Sequence, residues 1–420
     1  MNHFLELVER TLKPLANQYV PEGSTPEAVI HQWVHAIAQN RPLYAAQRGV
    51  DAQQIINALK VAGAYEQESH FKAALTQHLP IKPPTHGGFS FIDLFAGIGG
   101  MRIGFQQAGG TCVFSSEFEK NAQETYFSNH GDFPFGDITK IPVEDIPDHD
   151  VLIGGFPCQP FSHAGLKLGI GDTRGTLFHN IAKIIEMKRP KVALLENVKG
   201  LISHDKGYTL QVILRTLTSI GYSCNIDRKI IASGTPKQLQ DEAKKMVLRS
   251  VDFGVPQNRQ RIYIVLWQDG LTEKFEYPLP THSTTRVGDI LEESPDEKYT
   301  ISDRLWDGHQ RRKENNKVNG KGFGFGIVNS ESPYTNTISA RYYKDGSEIL
   351  IEQEGKNPRK LTPREAANLQ GFPREFIYSK SNVQAYKQFG NSVSVPVIKA
   401  LSKSIFEQFL RNHDESASKP

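Results

Sequence analysis

A chain of 420 residues exceeds the ~250–300 at which one hydrophobic core stops growing, so two or more domains are expected. With 38% hydrophobic and 23% charged residues it can fold, and no run approaches the ~18 uninterrupted apolar residues of a membrane span. The start, MNHFLELVERTLK, lacks a signal-peptide pattern, and three scattered cysteines (Cys112, Cys158, Cys224) offer neither a disulfide framework nor zinc spacing. Membrane and secretory roles are therefore excluded, and a cytoplasmic protein with no metal is expected. A net charge of +3 leaves the partner open, because the field that matters for nucleic acid is local.

Residues 1–79 read as a helical extension: an opening amphipathic stretch, a run from Ser24-Thr25-Pro26-Glu27 to Ala38, and one from Asp51 to Val61. Seven basic and seven acidic residues up to residue 85 make this piece neutral, which suits packing better than a DNA clamp. A Pro/Gly-rich linker covers 80–88. From 89 to 270, short apolar runs (91–95, 111–115, 151–153, 192–195, 261–266) alternate with helical ones, which predicts βαβ units and a parallel sheet. The alternation fails over 271–357, where Gly, Asn, Ser and aromatics point to a smaller irregular domain. Helical periodicity returns over 358–405, and 406–420 is a polar tail.

Phe91-Ile92-Asp93-Leu94-Phe95-Ala96-Gly97-Ile98-Gly99-Gly100 is a strand entering a glycine turn and then a helix over 101–108. The third glycine of a dinucleotide fingerprint would fall at Arg102, so a pyrophosphate is disfavoured. Glu117, at the end of the next apolar run, can accept hydrogen bonds from two ribose hydroxyls, and a nucleoside without phosphates fits this end, S-adenosylmethionine being the commonest. A tight turn with a solvated glutamate would read the same way. At the other end, Gly154-Gly155-Phe156-Pro157-Cys158-Gln159-Pro160 places a cysteine between prolines just past a strand, where open α/β sheets hold ligands. A cysteine alone is more often a buried hydrophobe. Glu196 ends a further apolar run on the same rim. Arg259 and Arg261, two apart at the start of a strand, would face one side and could grip a phosphate or carboxylate, although for Glu196 and the arginines taken alone a surface salt bridge is the better explanation.

In order and wording these segments resemble the DNA (cytosine-5)-methyltransferase family. The matching stretches are 91–100, 155–162, Glu196-Asn197-Val198, 257–263, Arg359-Lys360-Leu361-Thr362-Pro363-Arg364-Glu365 and Gln388-Phe389-Gly390-Asn391-Ser392-Val393. The resemblance implies a Rossmann-like, S-adenosylmethionine-dependent α/β catalytic domain with a target-recognition domain at 271–357. It implies Cys158 as nucleophile on carbon 6 of a flipped cytosine, Glu196 on ring nitrogen 3, Arg261 on the base and Arg259 on the sugar-phosphate. The cofactor would be S-adenosylmethionine, held by Phe95, Gly97, Gly99, Glu117, Phe118, Asp137, Ile138, Pro157, Leu177, Asn391 and Ser392. Phe118 stands where many members have tryptophan.

The glycine-rich stretch 163–176 matches a loop that closes over DNA in the family, with Ser162 and Arg174 as DNA contacts. In the recognition domain, Arg311, Arg312, Lys313 and Lys321 form a basic cluster in which Glu314 is the only acid between 308 and 322. The runs 320–326 and 335–344, the latter with Arg341 and Tyr342, supply backbone and polar groups for base edges. Both runs resemble bacterial Dcm-type enzymes whose targets begin with two cytosines, such as CC(A/T)GG, CCNGG or CCGG. Double-stranded DNA is the implied partner, with a restriction endonuclease acting on the same site, or none for an orphan methylase, and a monomer suffices. The competing readings are a non-catalytic DNA-binding regulator on this scaffold and a tRNA cytosine methyltransferase. The additional residues at about 226–250 and the extension have no assigned role.

Overall fold

The structure is a computed structural model that describes residues 3–84, 88–157, 177–281 and 283–411. Its contacts divide the chain into two units, Met1–Val247 with Arg261–Tyr277 and Leu401–Pro420, and Leu248–Gln260 with Pro278–Ala400.

In chain order the main sheet comprises β1 (Phe89–Leu94), β2 (Gly110–Ser116), β3 (Val151–Gly155), β4 (Val192–Val198), β5 (Tyr222–Ser223), β6 (Val247–Arg249) and β7 (Gln260–Gln268). Its path runs β2-β1-β3-β4-β7-β5, with β6 paired to β7 off that path. β1 to β4 are parallel, as the alternation predicts. β7 instead runs antiparallel to β4 and β5, which corrects the expectation that residues 261–266 join a wholly parallel sheet. The reason is physical: Ile262 to Trp267 are all buried, and a strand covered on both faces reads as the same apolar run in either direction.

From β1 the chain crosses to β2 on one side and later returns to β3 on the other. The C-terminal ends of β1 and β3 therefore flank a switch point where a ligand can enter. Between strands lie α5 (Gly100–Gln107), α6 (Lys120–His130), α7 (Leu177–Lys188) and α8 (Tyr208–Ser219).

The extension forms α1 (His3–Ala16), α2 (Pro26–Ala38), α3 (Ala52–Val61) and α4 (Glu68–Thr76). Pro26 occupies the first turn of α2, and the Asp51 carboxylate accepts from the amides of Gln53 and Gln54 to cap α3. The Thr25 side chain makes no cap bond. α2 covers the edge strand β2: the Gln32 side-chain amide donates to the Val113 carbonyl at 3.1 Å, in the manner of a protected sheet edge. The residues around 226–250 fold in part as α9 (Arg228–Ser233) and α10 (Pro236–Ala243). Both start at side-chain caps, Asp227 and Thr235, and Arg215 of α8 donates to the Ile231 carbonyl at 2.9 Å.

The second unit holds α11 (Asp303–Val318), α12 (Pro363–Leu369), α13 (Asn382–Asn391), most of α14 (Val395–Ile405), and a two-stranded pair of β8 (Ile327–Val328) and β9 (Leu350–Ile351). The stretch expected to be irregular thus contains a 16-residue helix, α11. Arg359 forks onto both oxygens of Glu365 at 2.7 and 2.8 Å, both side chains buried, while Thr362 and Glu365 form the capping box of α12. This closing motif is therefore a structural lock. Arg359→Ala, which strands the Glu365 charge, is expected to destabilise the protein by about 3–5 kcal/mol, read as a lower urea midpoint at unchanged slope.

Candidate active site

The turn after β1 is shaped by backbone geometry. Phe95 has φ 55°, Gly97 φ 56° and Gly99 φ 85°, and a Cβ on Gly99 would collide with the His130 ring. A Cβ on Gly97, in contrast, would meet nothing within 4 Å, so the turn presents bare main chain to open space. The Gly97 amide donates to Glu117 Oε2 at 2.7 Å, and the Glu119 amide to Oε1 at 2.8 Å. Burial pushes the Glu117 carboxyl up, opposed by hydrogen bonds from the amides of Glu119, Gly97 and Phe118. Each oxygen still has a second lone pair for a hydroxyl donor. Beside it Phe118 is 77% exposed, an aromatic face with no protein cover. Ile138 is buried, and Asp137 caps its short turn by accepting from the Thr139 amide at 2.9 Å.

The reactive rim is set by register. Gly155 of β3 pairs with Glu196 of β4, and a Cβ on Gly155 would stand 3.2 Å from Glu196 Oε2. The carboxylate thus lies over the strand end that leads, three residues on, to Cys158. Arg261 Nε meets Glu196 Oε1 at 3.2 Å, in a mostly buried pair. Asn197, quoted in the sequence only as part of a motif, donates from its side-chain amide to the Phe156 carbonyl at 2.9 Å and so fixes the same strand end. Another residue missed by the sequence reading is Asp93, fully buried in β1, with neither oxygen hydrogen-bonded among the described residues. Burial holds its carboxyl well above the usual range. Its signal was an acid inside an apolar run.

Pro157 is exposed and is the last described residue before the nucleophile loop; Leu177 opens α7. Cys158, Ser162, Arg174 and the stretch 163–176 lie outside the described residues. In the second unit, Asn391 ends α13, and Ser392 caps it by donating its amide to the carbonyls of Gln388 and Phe389.

Residues 89–407 match the C-5 cytosine-specific DNA methylase family. The chain belongs to that family. The methylase is 57% identical over 334 residues to the Type II methyltransferase M.SsoII of Shigella sonnei, covering 78% of this chain and 83% of that one. It is 39% identical to the DNA-cytosine methyltransferase of Escherichia coli K12 over an alignment 448 positions long with its gaps, covering 91% and 92%. Among solved structures, the S. pombe Dnmt2 methyltransferase aligns with TM-score 0.59 over 76% of this chain and 98% of its own, at 22% identity, which speaks to the fold alone. This is an enzyme of the DNA (cytosine-5)-methyltransferase class on a mixed α/β fold.

Three sequence expectations need correction in the methylase. Arg259 precedes β7 and is buried, its guanidinium spread over the carbonyls of Ile338, Gly390 and Ser392, so the argument that both arginines face one side of a strand fails. Tyr342 is fully buried, its hydroxyl donating to the Ile349 carbonyl and accepting from the Leu361 amide, which commits it to the unit's interior rather than to a base edge. Arg312 is engaged by Asp345 at 3.0 Å and by the His309 ring at 2.8 Å, so it braces α11. Arg311, Lys313, Lys321 and Arg341 are exposed, and Lys313 Nζ lies 4.5 Å from the centre of the Phe325 ring. No helix among the described residues is long and apolar enough to cross a membrane.

Proposed function

We propose that the methylase transfers a methyl group from S-adenosylmethionine to carbon 5 of a cytosine flipped out of a short duplex site beginning with two cytosines, CC(A/T)GG, CCNGG or CCGG. The observation that carries this reading is the Glu196–Arg261 pair held over the end of β3, the strand that precedes Cys158 in the chain.

When bound, S-adenosylmethionine supplies an electrophilic methyl group on a sulfonium. The fit rests on the bare Gly97 turn, the Glu117 carboxylate and the uncovered Phe118 ring. Glu117 would take the ribose hydroxyls and Phe118 would stack on adenine, with Phe95, Gly99, Asp137, Ile138, Pro157 and Leu177 around them; the family resemblance alone adds Asn391 and Ser392. Cys158, as thiolate, adds to carbon 6, which makes carbon 5 nucleophilic. Glu196 holds the ring at nitrogen 3 and provides the proton that lets negative charge leave it, while Arg261 fixes the carboxylate and reaches the base. Once carbon 5 carries the methyl group, water takes the carbon 5 proton, the C–H electron pair re-forms the 5,6 double bond and expels the thiolate, and the nitrogen 3 proton returns to Glu196, which restores the aromatic ring. Flipping costs a few kcal/mol of unstacking, repaid by these contacts. Arg311, Lys313, Lys321 and Arg341 neutralise phosphates, joined by Ser162 and Arg174. Arg259 acts on the sugar-phosphate near the flipped base and also holds the main chain of Gly390 and Ser392. The enzyme works as a cytoplasmic monomer, either beside a restriction endonuclease of the same site or as an orphan methylase.

Because Glu117 must be ionised to accept from two hydroxyls, affinity for S-adenosylmethionine falls on acidification through its raised pKa. The loss therefore begins at higher pH than for an ordinary glutamate. Titrations from pH 8 to pH 5 test this, and Glu117→Gln should flatten the profile. The reaction itself is tested by labelled methyl incorporation into duplex DNA and into tRNA: DNA labelled at sites beginning CC supports the reading, and label in tRNA alone refutes it.

A further inference from the structure

The N-terminal helices make contacts that the reaction above does not use. Ser24 Oγ accepts the amide hydrogen of Gly136 at 2.9 Å, and Gly136 immediately precedes Asp137 and Ile138. At the same point the main chain of Gly23, with φ 79°, approaches so closely that any Cβ on Gly136 would collide with the Gly23 carbonyl oxygen. The turn assigned to adenine is thus gripped by a segment that lies before the sheet begins.

A second line of contacts reaches the glycine turn. Arg102 of α5, buried, pairs with Asp132 at 2.5 Å and donates to the Tyr126 hydroxyl at 3.1 Å. The other oxygen of Asp132 lies 3.4 Å from His35 Nε2 on α2. Arg102 stands where a dinucleotide-binding helix would carry its third glycine. Here the side chain instead ties the cofactor-loop helix, through Asp132, to the extension. The neighbouring Phe133 amide donates to His31 Nδ1 at 3.2 Å, and the Ile81 amide, in the linker, to the Asn129 carbonyl at 3.2 Å, so residues 129–136 are bound to the extension and the linker that follows it. α2 is used up in this packing: ten of its residues, from Ala28 to Ala38, are buried, including His31, Gln32 and His35, which leaves no face for reading a DNA groove.

We infer that the N-terminal extension is a brace of the cofactor site and that Ser24 is a positioning residue for the adenine turn, an inference that rests on the cofactor assignment above. A turn held in its binding geometry before the cofactor arrives loses less freedom on binding, so removing the hold weakens affinity without touching the chemistry.

The test is calorimetric titration of S-adenosylhomocysteine into full-length protein. Ser24→Ala should raise Kd by about 3- to 10-fold, the range of one hydrogen bond, and Ser24→Thr should restore it. His35→Gln, on the second line, should move Kd in the same direction. Turnover at saturating cofactor and KM for DNA should stay unchanged in all three. Glu117→Ala separates the two claims. If the wild type fails to bind, or Glu117→Ala binds as well as the wild type, the cofactor assignment fails. If Glu117→Ala loses binding while Ser24→Ala and His35→Gln keep wild-type affinity, or if DNA KM shifts as much as Kd, the brace is overturned.

Discussion

Replacing Cys158 by serine is expected to lower methyl transfer by more than about a thousandfold while leaving binding of duplex DNA and of S-adenosylhomocysteine near wild type. The asymmetry follows from what each sulfur or oxygen can do. A thiol ionises near neutrality and its thiolate is a strong nucleophile, whereas a serine hydroxyl has no comparable anion at that pH and no base assigned to take its proton. Without addition at carbon 6, carbon 5 stays part of an aromatic ring and does not accept a methyl group. Single-turnover incorporation, with gel-shift titration on the same DNA, reads the two effects separately. Retained methylation would remove Cys158 from the reaction. Cys112 and Cys224 cannot replace it: both are buried free thiols, raised by burial to about 12 and about 11.

Glu196→Gln carries the second large effect, a fall in kcat of about 10²- to 10⁴-fold, the span of a lost acid–base group. Glutamine keeps an oxygen for Arg261 Nε and nearly the same volume beside Gly155, so the β3–β4 rim should stay folded. What it loses is the exchangeable proton toward ring nitrogen 3 and the charge opposite Arg261. The expected signature is a large drop in kcat with KM for S-adenosylmethionine within about threefold of wild type, since Glu117 and Phe118 are untouched. A thermal melt checks that stability is not the cause. An unchanged kcat would make the Glu196–Arg261 pair a structural bridge and nothing more.

The strands that carry the site were legible because burial is written into them. Phe91 to Leu94, Val151 to Ile153 and Val192 to Leu195 are apolar almost without interruption, and each is buried in the sheet. Glu117 and Glu196 stood out as acids ending such runs. Direction was not legible, since Ile262 to Trp267 would look the same parallel or antiparallel. α11 was missed for the opposite reason: HQRRKENNKV buries His309 alone along the helix, so no apolar period marks it, although Ser302 at its cap was a usable signal. Tyr342 and Arg259 were misread because a polar side chain in a recognised motif looks like a ligand until its partners are known. Here those partners are the main-chain groups of Ile349, Leu361, Ile338, Gly390 and Ser392. The docking of α2 on β2 depends on residues eighty or more positions apart, such as Gln32 and Val113, and no local pattern announces it.

The most direct test of the central claim is bisulfite sequencing of plasmid DNA from a methylase-free host expressing this chain, beside the Cys158→Ser variant. The account predicts protected cytosines at one short motif beginning with two cytosines, with protection gone in the variant. Soluble protein without any protected cytosine, or protection that survives the substitution, would contradict it.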